Sequence, residues 1–176
     1  GGSGDDTYYI DSSKDRVYET TSTSGSNKND AGGTDRIFST VSLNMDSYNG
    51  IKHVENLTLQ GDGNINGYGN ANNNTINGTS SNNILKGNDG NDYLLGGDGK
   101  DTLNGGTGDD RMLGGSGDDT YYIDSSKDRV YETTSTSGSN TTDAGGTDRI
   151  FSTVSLNMNS YNGIKHVENL TLQGDG

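Results

Sequence analysis

Residues 87–122 read GNDGNDYLL, GGDGKDTLN, GGTGDDRML, GGSGDDTYY, four nonapeptides in unbroken register. Each follows G-G-x-G-x-D-x-U-x, where U is a large apolar residue, and only Asn88 departs, standing where the second glycine belongs. Aspartate recurs at Asp92, Asp101, Asp110 and Asp119; the apolar position recurs at Leu94, Leu103, Met112 and Tyr121. Two independent residue classes keep one nine-residue step, the mark of a repeat architecture.

Glycine at three of the first six positions opens backbone conformations closed to other residues. Such a turn can point its carbonyl oxygens inward, and the aspartate at position six adds a carboxylate where the turn ends. The next three residues suit a short strand, with the apolar residue at position eight on one face. Turn, strand, turn, strand makes one coil of a parallel solenoid from every two nonapeptides. Successive coils then lie at the inter-strand spacing of ~4.8 Å. This stacking puts Asp92 over Asp110 and Asp101 over Asp119. Carboxylates that close repel unless a cation sits between them. A hard cation seeking about 6–8 oxygens suits a mixture of carbonyls and carboxylates. The chain has no cysteine and two histidines, His53 and His166, so zinc or copper has little to hold. Calcium is the expected ion.

The array resembles the calcium-binding RTX repeats of secreted bacterial proteins. The resemblance implies an all-β fold, a right-handed parallel β-roll or β-helix solenoid with Ca2+ in its Gly/Asp turns. It also implies that positions two, four and six of one turn share an ion with positions one, three and six of the turn two nonapeptides later. Carried over, one set is Asn88, Gly90 and Asp92 with Gly105, Thr107 and Asp110. A second is Gly97, Gly99 and Asp101 with Gly114, Ser116 and Asp119. A third, less regular set is Gly106, Gly108 and Asp110 with Ile123, Ser125 and Asp128, where Ile123 and Ser125 replace the usual turn residues.

Composition agrees with a narrow solenoid. Of 176 residues 29 are glycine and none is proline, hydrophobic residues make up only 25%, and the formal net charge is −13. That is too little apolar material for a wide core, yet a solenoid buries only a few side chains per coil. Bound cations would offset the acidic self-repulsion, so the chain is expected to be unfolded without calcium and ordered with it. The charge opposes nucleic-acid binding, and no apolar run is long enough to insert in a membrane.

A second repeat is superimposed on the first. Residues 1–63 recur at 114–176 with a constant offset of 113, differing only at Lys28/Thr141, Asn29/Thr142 and Asp46/Asn159. Both ends fall inside a unit, so the chain reads as a piece of a longer tandem array. Five segments are expected. Residues 1–18 end one nonapeptide array. Residues 19–60 hold a polar loop followed by longer strands: Gly32–Asn44 as one strand with Ile37, Ser39, Val41 and Leu43 on one face, and Ile51–Gln60 with Val54, Leu57 and Leu59 inside. Residues 61–86 are Asn-rich degenerate repeats, in which Asn74 and Asn83 take the aspartate position. There an amide oxygen could ligate calcium weakly, or stacked asparagines could form hydrogen-bonded ladders, the preferred reading. Residues 87–131 are the calcium-binding array, and 132–176 the second copy of loop and strands. In Tyr8-Tyr9 and Tyr121-Tyr122 one ring should fill the coil and the other cover its edge.

No catalytic constellation is readable, so no enzymatic activity is expected in these residues. The resemblance implies a secreted or cell-surface structural element such as an adhesin spacer, surface layer or fibre, exported through a type I channel and folding outside. Its partners would be calcium ions and neighbouring copies of the same repeat, including lateral self-assembly. The alternative is the secretion and folding module of an exoenzyme such as an epimerase, protease or lipase. A glycan-binding module would need an exposed aromatic platform.

Overall fold

A computed structural model describes residues 1–19, 32–46, 51, 53–132, 144–158 and 164–174. The polar loop expected at the start of residues 19–60, and most of the stretch between the strands expected at Gly32–Asn44 and Ile51–Gln60, therefore lie outside the described residues. Among those described the chain forms strands and no helix. In order these are β1 (Thr7–Ile10), β2 (Arg36–Ser39), β3 (Leu43–Asn44), β4 (Asn56–Leu59), β5 (Gly67–Tyr68), β6 (Thr75–Asn77), β7 (Ile84–Asp89), β8 (Tyr93–Asp98), β9 (Thr102–Thr107), β10 (Arg111–Ser116), β11 (Thr120–Ile123), β12 (Arg129–Tyr131), β13 (Arg149–Ser152), β14 (Ile164–Lys165) and β15 (Asn169–Leu172). They fall into two all-parallel sheets, ordered β1-β2-β4-β6-β8-β10-β12-β14 and β15-β13-β11-β9-β7-β5-β3. The chain alternates between sheets, as a β-roll requires.

The nonapeptide sets the register. Tyr93 pairs with Arg111, and Leu85 with Leu103, in each case two repeats further on. Position eight of every repeat points between the sheets: Ile76, Leu85, Leu94, Leu103, Met112 and Tyr121 are all fully buried and stack in one column of core. The same column runs on through Leu57, Ile37, Val130 and Ile150. Along the regular nonapeptides the core is thus one side chain wide per half-coil, with second residues such as Leu59 and Ile123 added outside them, and 25% apolar content suffices to fill it.

Two expectations need correction. Gly32–Asn44 is not one strand. Of its four expected inward residues Ile37, Ser39 and Leu43 are buried and Val41 is half-buried, but the chain turns after Ser39 and crosses to the other sheet before Leu43. The Ser39 hydroxyl donates to the Val41 carbonyl and accepts from the Val41 amide, closing the corner. A roll this narrow cannot accommodate so long a strand, and a hydroxyl that bonds its own backbone two residues on supplies the bend. The second tyrosine of each pair, moreover, lies on the outer sheet face. Tyr9 stacks on Phe38 and Tyr122 on Phe151, with ring centroids 5.4 Å apart in both.

Because each coil supplies one apolar residue per sheet, truncating one opens a gap that its neighbours cannot fill. Leu103→Ala should destabilise the calcium-loaded fold by about 2–5 kcal/mol, read as a shift in the denaturant midpoint. A shift within error of wild type would mean that the column is not the core.

Candidate calcium-binding turns

The two edges of the roll are built by the Gly/Asp turns, and their glycines serve two purposes. Positions two and four lie at positive φ, as at Gly97 (116°) and Gly99 (114°). Asn88 holds the same left-handed conformation (81°), which asparagine tolerates better than most residues. Its side-chain amide donates to the Gly69 carbonyl at 2.7 Å, tying the irregular turn to the coil before it. Position one is glycine for space: a Cβ on Gly87, Gly96, Gly105 or Gly114 would collide with the carboxylate of its own repeat, Asp92, Asp101, Asp110 or Asp119.

Those carboxylates stack as the spacing predicts. Asp110 Oδ1 accepts the Asp92 amide at 2.8 Å, Asp119 Oδ1 the Asp101 amide at 2.7 Å, and Asp128 Oδ1 the Asp110 amide at 3.0 Å. All five aspartates are buried. The second oxygen of Asp92, Asp101, Asp110 and Asp119 is buried with no hydrogen-bond partner. A buried carboxylate oxygen left so is costly unless something positive meets it.

Carbonyl oxygens converge on the same gaps. The Asn88 and Gly90 carbonyls press against Gly106 and Gly108 of the turn above, and those of Gly97 and Gly99 against Gly115 and Gly117. In return the Gly105 carbonyl points at Gly87 beside Asp92, and the Gly114 carbonyl at Gly96 beside Asp101. The Thr107 and Ser116 carbonyls also face back, accepting the Gly90 and Gly99 amides at 3.0 and 2.8 Å. Every residue of the first two sets thus borders one inter-turn gap, and the groups that converge there are oxygens. This donor set fits calcium and offers nothing to a soft metal.

The third set differs. Asp128 Oδ1 is stacked like the others, but its Oδ2 accepts the Asp124 and Ser125 amides at 3.2 and 3.1 Å. The asparagine turns differ again. Asn83 Oδ1 accepts the Thr79 amide, while its NH2 group donates to the Ile65 carbonyl of the preceding coil at 2.7 Å. Asn74 bonds the Asn70 amide and the Val54 and Glu55 carbonyls in the same way. The asparagine ladder therefore runs from side chain to backbone, not between side chains. On the exposed rim it continues as Asn73 Oδ1 to the Asn91 amide and Asn91 Oδ1 to the Asp109 amide.

Several turn residues escaped the sequence reading. Asp148 Oδ1 accepts the Asp119 amide at 2.8 Å and Asp35 Oδ1 the Asp6 amide at 2.8 Å, so each GGTD segment is a further turn of the same edge. Glu168 and Glu55 extend the ladder, each accepting the amide of the aspartate before it. The signal was present as Asp-x-Ile at 35–37 and 148–150 and Glu-x-Leu at 55–57, a short form of the nonapeptide's Asp-x-U.

Residues 68–103 and 95–130 match the family model of the RTX calcium-binding nonapeptide repeat (4 copies). These residues are RTX repeats, and calcium binding is what the match implies. No curated protein and no solved structure matches the chain.

Burial pushes the carboxyls of Asp92 and Asp101 up to about 6 and those of Asp110 and Asp119 up to about 7. Folded values above the ordinary 3.8 mean that protonation favours the metal-free coil. That contribution is complete below the ordinary value and is lost as pH rises through 6 to 7. Calcium must displace those protons, so affinity should fall between about pH 8 and about pH 5.5, with net proton release on binding. Calorimetry in two buffers of different ionisation enthalpy measures the release. Affinity independent of pH would rule out these buried carboxyls as ligands.

Proposed function

We propose that the chain is a calcium-stapled segment of a tandem-repeat, extracellular structural element, a stiff spacer or fibre that orders when calcium binds. The observation that carries this reading is continuity. The end of one 113-residue unit and the start of the next share the same two sheets and one core column, with Met112 and Tyr121 packed across the unit boundary. Units joined this way extend one rod instead of forming beads on a string. The reading of RTX repeats as parts of secreted bacterial proteins supports an extracellular setting, where calcium is plentiful. The folding module of an exoenzyme is the second reading; the long, near-identical period favours the spacer, because a rod gains length from each copy.

In this proposal the ions sit in the two regular gaps. One is held by Asn88, Gly90, Asp92, Gly105, Thr107 and Asp110, the other by Gly97, Gly99, Asp101, Gly114, Ser116 and Asp119. The third gap, bordered by Gly106, Gly108, Asp110, Ile123, Ser125 and Asp128, holds calcium weakly, because backbone amides already meet Asp128. Asp101→Asn should therefore remove one tight ion by calorimetry, while Asp128→Asn should leave the tight count unchanged. Equal losses would put the third gap on a par with the others.

The rod itself is tested by solution scattering on chains carrying successive units. In calcium each added unit should lengthen the particle by about 26 Å, five and a half coils at ~4.8 Å each. With chelator the β-sheet circular dichroism should vanish and the scattering become that of an expanded chain. A compact particle that does not lengthen with unit number would rule out the rod.

A further inference from the structure

Where the nonapeptide array ends, Asp119, Glu132 and Asp148 each bring a carboxylate oxygen within 4.8 Å of the other two, and all three residues are buried. Asp119 belongs to the last full nonapeptide and Asp148 to the GGTD turn stacked upon it, a longer step than the one that sets Asp119 on Asp101. Gly146 packs against the Gly117 carbonyl, and the Gly117 amide donates to the Gly145 carbonyl at 3.1 Å, as between ordinary turns. Glu132 comes from neither turn. It is the last described residue before the insertion, and its carbonyl accepts the Ala144 amide at 3.2 Å on the far side.

Its side chain stands where a regular gap has a carbonyl. Against Gly87 lie the Asp92 carboxylate and the Gly105 carbonyl, and against Gly96 the Asp101 carboxylate and the Gly114 carbonyl. Against Gly114 lie Asp119 Oδ2, Glu132 Oε1 and the Tyr121 hydroxyl. Tyr121 donates to Glu132 Oε1. Asp119 Oδ2, on a side chain 1% exposed, has no hydrogen-bond partner and points into this group.

The geometry points to a hard-cation site at Asp119, Glu132 and Asp148 that takes calcium or a trivalent lanthanide and pins both roots of the inserted loop. It rests on the same reading of the turns as calcium sites, through the shared Asp119. A neutral carbonyl has been replaced by a carboxylate, so this gap carries more negative charge than a regular one and should bind more tightly. Magnesium, which keeps several waters, suits such a dry cradle poorly. The pin also has a structural role. The step from Asp119 to Asp148 must close a longer loop than two nonapeptides do, and an ion bridging residues on either side of the insertion holds that loop closed at its root. The arrangement is repeated in the first copy by Asp6, Glu19 and Asp35, where Glu19 Oε1, Asp6 Oδ2 and the Tyr8 hydroxyl crowd Gly1 in the same way.

The test uses the whole chain and Glu132→Gln, which keeps an acceptor for Tyr121 and replaces no residue of either regular set. Calcium calorimetry should find one tight ion fewer than wild type, with β-sheet circular dichroism retained and the remaining affinities unchanged. An unchanged count with unchanged affinities would overturn the site. Should the variant not fold, crystals of the wild-type chain grown with terbium decide by anomalous scattering. A peak bridging Asp119, Glu132 and Asp148 supports the site, and peaks only in the regular gaps overturn it. Absence of metal from every turn would overturn the calcium reading as a whole.

Discussion

A buried carboxylate with one oxygen fastened and one oxygen unmet is the constraint on which this roll depends. At Asp92, Asp101, Asp110 and Asp119 the second oxygen is buried and meets no donor, while the first oxygen of Asp110 and Asp119 holds the amide of the coil before, which fixes the register of the edge. Nothing in the turn's own covalent chemistry resolves that arrangement, since glycine and aspartate bring no side-chain donor. Desolvation alone favours the protonated acid, and a divalent cation does better because it meets carboxylate and carbonyl oxygens together. The sparse core is consistent with this. One apolar side chain per half-coil of the regular array gives little hydrophobic stabilisation per residue, which leaves a large part for metal binding at the edges in the calcium-binding proposal.

The asparagine turns show the other solution to the same problem. At Asn74 and Asn83 the side chain occupies the aspartate position, but its NH2 group reaches the carbonyls of the preceding coil. The amide thus carries both the acceptor that closes its turn and the donor that a cation would otherwise replace. Coils built on asparagine satisfy both ends of the side chain within the chain, whereas Asp92, Asp101, Asp110 and Asp119 each keep one buried oxygen for which the chain supplies no donor. In the calcium-binding proposal a unit would then contain a stretch able to keep its register without the ion beside a stretch that needs it, and the first would serve the second as a template, since each new coil needs a formed neighbour to stack upon.

Legibility followed the regularity of the step. Where two nonapeptides made a coil, the column of Leu94, Leu103, Met112 and Tyr121 and the stacking of Asp92 on Asp110 could be read directly. Where the step stretched, the turn residues disappeared from view, although Asp-x-Ile at 35–37 and 148–150 kept the local pattern. Arg36 pairs with Asn56 and Leu43 with Gly67, two steps of unequal length, so no fixed period recovers them. Glu132 was hidden for a stronger reason. Its place beside Asp119 is set by how an insertion returns to the stack, which is a three-dimensional closure and leaves no periodic trace. The direction of the asparagine amides was likewise beyond pattern, because composition cannot say whether an amide offers its oxygen or its nitrogen.

The two repeats of the chain also do not share a common step. β1 lies in the eight-stranded sheet, but its copy β11 lies in the other, half a coil past the fifth strand along. A 113-residue unit therefore advances the roll by a half-integral number of coils, and equivalent residues of successive units emerge on opposite sides. The stacked pair Tyr9 and Phe38 is on one sheet face, and Tyr122 and Phe151 on the other. The acidic triads alternate edges in the same way. Along an extended array this produces an approximate two-fold screw: the sequence repeats every unit, but the surface repeats every second unit. Each face then carries the aromatic pair at twice the unit spacing, about 52 Å at ~4.8 Å per coil. A whole-number step would have set every aromatic pair on one sheet face and every acidic triad on one edge. The half-coil step distributes both over the two sides while the core stays continuous.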